Sequence, residues 1–339
     1  MKLVACIQKY FSQYLPQILG ASQSTIDSYQ QAITLFLKFA ADYQKLPVKE
    51  LETDQLSFQL IVDFLEHLQT RRNNTSRTRN TRLACLKSLA KMIRLMYPEH
   101  RKTAEMILGI PQKRCQKHLI GFLTQEEMQI VFHAVDLKKY DGFRDYTLLH
   151  LLFDSGARAS EIASLKLNDF DPLKKTLTIL GKGNRYRLVQ LWPKTTDLLT
   201  CYIQNHRPQP QKLYASYLFV NQRKQPLTRH GIYFICSKYL ERTLPEKRLK
   251  WINPAHSFRH SCAVNMLQSG ASLTDIKNHL GHENLNSTMT YLNLNLSKKA
   301  EIQKSFIQYT QSSLKADPKI NELIDWENKD QILNWLDSL

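Results

Sequence analysis

Residues 109–124, GIPQKRCQKHLIGFLT, carry a proline, a run of basic residues and no apolar periodicity. On both sides of them apolar residues recur every three and four positions, the mark of amphipathic helices packed on a core. At 339 residues the chain is longer than one typical domain of roughly 100–200 residues. The break therefore predicts two folding units: a helical N-terminal domain over 1–110, a linker over 111–121, and a second domain over 122–312 followed by a tail over 313–339.

The first block reads as helices over 5–20, 25–43 and about 56–71, with Ser24 and Thr53-Asp54 as start signals. After the break Asn73-Asn74-Thr75 comes a fourth helix with Leu83, Leu86, Leu89, Ala90, Ile93 and Met96 as its apolar stripe. Its other face is distinctive. Arg71, Arg72, Arg77, Arg79, Arg82, Lys87, Lys91 and Arg94 fall in one stretch without a single Asp or Glu. Solvated helix faces usually mix the two signs, and a solvated basic face is the bland alternative here. A single-sign face with Ser76, Thr78, Asn80 and Thr81 between the cations suits a nucleic-acid duplex, with cations and hydroxyls on phosphates and Arg or Asn reaching base edges. Lys113 and Arg114 in the linker extend it, and two domains joined this way would clamp a duplex from opposite sides.

The formal charge agrees: 47 Lys and Arg against 30 acidic residues give +17, a surplus that points to nucleic acid. Six cysteines without a C-x-x-C pair read as free thiols of a reducing cytosol. The start, MKLVACIQKYFSQYL, lacks the form of a signal peptide, and no apolar run approaches the roughly 18 residues of a membrane helix. The expectation is a cytoplasmic, nucleoid-associated prokaryotic protein.

In the second domain, helices are expected over 124–135, capped by Thr124, and over 143–155. Gly156 then permits a turn before a helix beginning near Ser160, and Arg158 sits at that turn. TLTIL (176–180) and YRLVQLW (186–192), separated by GKGN, alternate as a β-hairpin does, with Lys182 at its tip and Arg185 as a further candidate DNA-binding residue. YLFV (217–220) reads as a third strand. The segment from Asn253 to Tyr291 holds His256, Arg259, His260, His279, His282 and Tyr291. Past it lies an amphipathic stretch, DPKINELIDWENKDQILNWLDSL, in which six acidic residues face Lys319 and Lys329. Docking on its own domain and docking on another protein are both open readings of that pattern.

Together, Arg158, Lys182, His256, Arg259, His282 and Tyr291 suit attack on a phosphodiester. A phenol of pKa near ~10 is about one-thousandth ionised at neutral pH, so a tyrosine nucleophile needs a positive pocket with a base. Two Arg forks can hold the non-bridging oxygens as charge builds on them. A Lys on a hairpin tip can protonate the departing oxygen. His256-x-x-x-His260 and His279-x-x-His282 also invite a zinc reading, but no paired Cys or acidic ligand accompanies them and Arg259 would sit inside the site. Singly, each residue is more often structural; it is the set that carries the reading.

GARASE (156–161), GKGNRYRLV (181–189), HSFRH (256–260), LGH (280–282) and TMTY (288–291) resemble, in order and spacing, the motifs of the tyrosine recombinase family, the phage-integrase and Xer-type enzymes. The resemblance covers most of the C-terminal domain, and the N-terminal helices resemble the family's core-binding domain more loosely. It implies a mainly α protein with a small antiparallel β-sheet in its catalytic domain, forming a C-shaped DNA clamp. It implies Tyr291 as the nucleophile of a 3′-phosphotyrosyl link, Arg158 and Arg259 on the scissile phosphate, Lys182 as general acid, His256 as acid/base and His282 as a phosphate-binding group. Glu161 would orient, and His260 would support. No cofactor, ATP or metal is implied, and the partner is duplex DNA bound by a homo-tetramer, with the tail passing between neighbours.

Three departures stand out. Ala157 replaces a bulkier residue, Asn293 stands where many relatives carry His, and the tail is longer than in compact Xer-type enzymes. The expectation is a layout without an extra arm-binding module ahead of residue 5. A type IB topoisomerase and a catalytically silent DNA-binding regulator are the alternative functions.

Overall fold

The computed structural model describes residues 1–115 and 121–291, and the chain divides into two compact units, Met1–His118 and Leu119–Leu339. The tail over 313–339 and linker residues 116–120 lie outside the described residues.

The first unit is all helical. α1 (Leu3–Lys9) runs on into a π-helical segment, Tyr10–Ile18, that contains Pro16. Proline has no N–H to give to the preceding turn, which accords with the change of hydrogen-bond spacing there. α2 (Gln23–Gln44), α3 (Phe58–Thr70), α4 (Ser76–Met96) and α5 (Arg101–Gly109) follow. The start signals are shifted from those expected. α2 follows Ser22 rather than Ser24, and Thr53–Gln55 forms only a short 3₁₀ turn. Ser57 and Thr75 are the effective caps, accepting from the N–H groups of Leu60 (3.1 Å) and Thr78 (3.2 Å). The core gathers Tyr10, Phe36, Leu60, Phe64, Leu83, Leu86 and Ile93, and the Phe36 and Phe64 rings meet edge to face at 5.2 Å. Beyond α5 the first linker residues are held to α4. Asn80 Nδ2 donates to the Lys113 carbonyl at 2.7 Å, and the Lys113 N–H donates back to Asn80 Oδ1 at 3.1 Å.

The second unit is helical with one small sheet. α6 (Gln125–His133) opens on a capping box in which Thr124 and Glu127 satisfy each other's backbone N–H. α7 (Gly142–Ser155) is buried along almost its whole length, so it reads as a continuous apolar run rather than a stripe. α8 (Ala159–Ser164), β1 (Phe170–Asp171), β2 (Thr176–Leu180), β3 (Tyr186–Gln190), α9 (Pro193–Cys201), α10 (Arg229–Thr243), α11 (Glu246–Leu249), α12 (Pro254–Gln268), α13 (Leu273–Leu280) and α14 (Asn286–Met289) complete it. The sheet is antiparallel in the order β1-β2-β3, with Leu177 opposite Val189 and Ile179 opposite Arg187.

The expected third strand is corrected. YLFV is not in the sheet: the third strand is β1, and 217–220 contributes only isolated bridges, Lys166 to Tyr217 and Val220 to Pro226. Leu218, Phe219 and Val220 are all buried, and the Leu218 N–H donates to the Leu165 carbonyl. An apolar run of this length fits a buried connection as well as a strand.

Two apolar clusters hold the second unit. The larger joins α6, α7, the sheet, α9 and α10; the smaller joins α12 and α13 through Cys262, Ala263, Val264, Leu267, Ile276 and Leu280, and Tyr291 belongs to it. Gly156, at φ 56°, ends α7 where a Cβ would lie 2.4 Å from a methyl of Leu280. Only glycine allows both that conformation and that approach. The end of α7 is thereby brought against the end of α13.

Candidate active site

Four segments of the second unit converge where α7 and α13 end. Arg158 is the residue before α8, 34% exposed, and its Nη1 donates to Glu161 Oε1 at 2.7 Å while its backbone N–H donates to Glu161 Oε2 at 2.9 Å. Most of its fork is left to face a ligand. Glu161 is buried, and its second oxygen accepts from Arg187 Nη2 at 2.7 Å. Burial raises its pKa, but the bonds from Arg187 and Arg158 outweigh that and hold it below the usual glutamate value.

Arg259 is only 3% exposed. Its Nη1 donates to the Gly156 carbonyl at 2.6 Å and its Nη2 to the Leu280 carbonyl at 2.7 Å. The two helix ends that the Gly156 contact brings together are thus bridged by one guanidinium. Burial, then repulsion from Arg158, brings its pKa down to about 10, so it remains a cation at neutral pH.

Tyr291 is 2% exposed, and its Oη lies 2.9 Å from Nδ1 of His260. The His282 ring stacks on it at 6.4 Å with the planes 11° apart, and His282 Nδ1 lies 2.8 Å from the hydroxyl of the buried Thr288. Burial pushes the phenol up to about 12, with Arg259 pulling the other way. Burial and neighbouring cations bring His260 down to about 3 and His282 to about 4, so both are neutral at pH 7. His256, one turn before His260 on α12, is exposed, and partial burial, Arg259, Arg158 and Arg229 lower its pKa.

Lys182 stands in the 3₁₀ turn Lys182–Asn184 that joins β2 to β3, where Gly183 (φ 72°) and Asn184 (φ 59°) take the left-handed conformation such a tip requires. Arg185 is exposed beside it. A cleft of about 880 Å³ opens next to the site, lined by Arg158, Arg185, Arg187, Lys277, His279 and His282 among others.

Arg158, Glu161, His256, Arg259, His260, His282 and Tyr291 are therefore one neighbourhood. The histidines that invited a zinc reading are occupied otherwise: His260 faces Tyr291, His282 faces Thr288, and His279 donates from Nε2 to the Asp154 carbonyl at 2.9 Å. Arg187 was not singled out in the sequence, although a signal was there. On β3, Val189 points inward while Tyr186 and Leu188 are exposed, so period-2 alternation turns Arg187 inward with Val189. A cation at an inward position requires a partner.

The candidate DNA-binding residues of the first unit divide. Arg71, Arg72, Arg77, Lys91, Lys113 and Arg114 are exposed. Arg79 is 7% exposed and donates to Asn80, half-buried Arg82 donates to the Ser28 carbonyl, and Lys87 donates to the Leu108 carbonyl at 2.7 Å. The basic face expected on α4 is narrower than its sequence, because long side chains fold back onto the unit's own carbonyls.

Among the described residues no helix is long and apolar enough to cross a membrane. The chain matches the phage integrase family over residues 121–298 and the phage integrase N-terminal SAM-like domain over residues 8–94. It is 31% identical to a protein of Sinorhizobium fredii described as an integrase/recombinase, y4rC, over 95% of this chain and 96% of the relative. It is 29% identical to the tyrosine recombinase XerD of Staphylococcus epidermidis over 86% of this chain and 93% of the relative. Its fold is that of the XerH site-specific recombinase solved bound to a difH substrate, with a TM-score of 0.62 at 21% identity over 89% of this chain and 88% of the other. The chain belongs to the phage integrase family, the tyrosine recombinases, which cleave and rejoin DNA strands through a phosphotyrosine intermediate.

Proposed function

We propose that Tyr291 is the nucleophile of a site-specific DNA recombinase and that Arg158 and Arg259 hold the scissile phosphate. The observation that carries this is the placement of the Tyr291 hydroxyl on His260, within the field of both arginines. At a pKa of about 12 the free phenol is a weaker nucleophile than tyrosine in water. Bound phosphate must therefore come with proton removal. His260, neutral and carrying its proton on Nε2, accepts a hydrogen bond from the phenol at Nδ1, and exposed His256 serves as acid/base at the phosphate.

In the step proposed, Tyr291 Oη forms a bond to phosphorus, the phenol proton passes to a base, and the bond from phosphorus to the 5′ oxygen breaks. Lys182 supplies the proton that this oxygen takes up. The two arginines and His282 bind the non-bridging oxygens as negative charge builds there. The new 3′-phosphotyrosyl bond conserves the energy of the one broken, so rejoining runs the same step backwards with a 5′ hydroxyl as nucleophile. Glu161 orients Arg158. No metal or nucleotide enters these steps.

Duplex DNA is the substrate, gripped by exposed Arg71, Arg72, Arg77, Lys91, Lys113 and Arg114 in the first unit and by Arg185 in the second. The working assembly is a homo-tetramer joining two duplexes, with the acidic tail over 313–339 passing to a neighbour, in the nucleoid of a prokaryotic cell. The division into domains 1–110 and 122–312 by a linker over 111–121 belongs to the same proposal. In EDTA, wild-type protein is expected to become covalently trapped on a nicked duplex carrying its mapped site, and Tyr291→Phe is not. Trapping of the Phe variant at the wild-type level would overturn the assignment.

A further inference from the structure

The residues assigned above leave a guanidinium unexplained. Arg187, on β3, has a side chain only 10% exposed and is divided between two partners: Nη2 donates to Glu161 Oε2 at 2.7 Å, and Nε donates to the His279 carbonyl at 3.0 Å. Its aliphatic part lies against Gly281, where an added Cβ would stand 3.0 Å from Arg187 Cδ. These contacts reach separate parts of the site. Glu161 holds Arg158, the His279 carbonyl and Gly281 form the turn that presents His282, and Arg187 itself sits five residues beyond Lys182 on the same hairpin.

The α13 terminus makes the arrangement sharper. A helix C-terminus exposes carbonyls and the negative end of its dipole. Here consecutive carbonyls, of His279 and Leu280, accept from Arg187 and Arg259 respectively. Gly281 at φ 67° then turns the chain, and its N–H and that of His282 close back on Asn278 and Lys277. His282 is thus set on a turn clamped by two cations from elsewhere in the fold.

Charge points the same way. Glu161 is a buried carboxylate bonded to two guanidiniums. With Arg187 present the trio carries a net positive charge, and Arg158 keeps both field and free N–H groups for an anion. Without Arg187, Glu161 would be neutralised by Arg158 alone, drawing its fork inward and cancelling its charge where a phosphate should bind.

We propose that Arg187 is a positioning residue for strand cleavage, holding the Glu161–Arg158 pair and the His282 turn in register and freeing Arg158 for phosphate. The inference rests on the roles given above to Arg158 and His282. It is tested with wild type, Arg187→Gln, Arg187→Lys, Lys182→Ala and Tyr291→Phe, using a nicked duplex with the mapped site. The scissile 5′ bridging atom is either oxygen or sulfur. Thiolate leaves without needing a proton, so sulfur should restore a variant that lacks only the general acid.

Arg187→Gln is expected to bind the duplex as wild type does and to cleave about a hundredfold more slowly in single turnover at saturating protein, the scale of a misplaced reacting group. Sulfur should rescue Lys182→Ala and not Arg187→Gln. Arg187→Lys should lie between wild type and Gln, because an ammonium cannot fork between a carboxylate and a carbonyl. Wild-type cleavage by Arg187→Gln, or its full rescue by sulfur, would overturn the inference. Should Arg187→Gln fail to fold, Arg187→Lys carries the test, and its cleavage at the wild-type rate would overturn the requirement for a fork. Trapping of Tyr291→Phe would instead sink the reading of the site, whereas a dead Tyr291→Phe beside a fully active Arg187→Gln would remove only this inference.

Discussion

The arginines of the two units are held in opposite ways. In the turn before α4, on α4 itself and after α5, Arg71, Arg72, Arg77 and Arg114 stand in solvent, free to follow a phosphate backbone wherever it runs. In the catalytic unit Arg259 is 3% exposed and fixed to two carbonyls, and Arg158 and Arg187 share one buried carboxylate. Exposed cations give binding that is strong, salt-dependent and indifferent to geometry. Buried, pre-bonded cations give little to encounter but need no reorganisation when charge develops in the transition state. Arg79 falls between, lying on α4 yet buried as Arg259 is.

The largest expected effect lies at the most tightly held cation. Arg259→Lys should slow cleavage by about 10²–10³-fold with duplex affinity nearly unchanged, since a lysine cannot serve two carbonyls and a phosphate at once. Single-turnover cleavage beside an equilibrium binding curve would read both. A loss confined to affinity would place Arg259 with the surface cations and erase the contrast.

Acid should affect the catalytic unit next. Burial lowers His150 to about 4, His260 to about 3 and His282 to about 4. Below the unfolded value of 6.5 the unfolded chain takes up protons that the folded one refuses, so stability is present at neutral pH and declines as pH falls from 6.5 toward 4. Asp154, raised to about 6 by burial, opposes this, because its folded form is the better proton binder between about 4 and 6. Three histidines against one carboxyl leave a net fall, measurable as a lower urea midpoint at pH 5 than at pH 7. An unchanged midpoint would mean that these rings are not buried as described.

The smallest effects distinguish neighbours on α4. Arg77→Ala should reduce the log-log salt slope of duplex binding by about 0.9, one phosphate's share, and leave stability within about 0.5 kcal/mol. Arg79→Ala should do the reverse, lowering stability by about 1–3 kcal/mol through lost packing and a lost hydrogen bond while the slope holds. Equal slopes lost at both positions would show that burial does not separate them.

Much of the second unit was legible because its signals are local. The Thr124 cap, the hairpin with GKGN at its tip and the turn at Gly156 each depend on residues within a few positions of one another. The start of α2 was misplaced by two residues and Ser57 displaced Thr53-Asp54, because several Ser, Thr and Asp lie close enough to compete for one cap. YLFV failed as a strand for another reason. An apolar run of this length is compatible with burial of either kind, and whether it pairs in a sheet depends on which backbone lies beside it.

By itself the sequence determined the helical periods, the single-sign stretch on α4 and the residue types that phosphate chemistry requires, in the order the family carries them. Tertiary structure alone decided that Arg187 serves Glu161 and His279, that Arg259 bridges Gly156 and Leu280, that Tyr291 meets His260, and that Arg79 is not on the surface. The physical reason is distance along the chain and length of side chain. Helical and strand periods report which way a Cβ points, whereas an Arg or Lys head lies several bonds further on. Its position is settled by whichever carboxylate or carbonyl the fold brings within reach, 103 residues away in the case of Arg259 and Gly156.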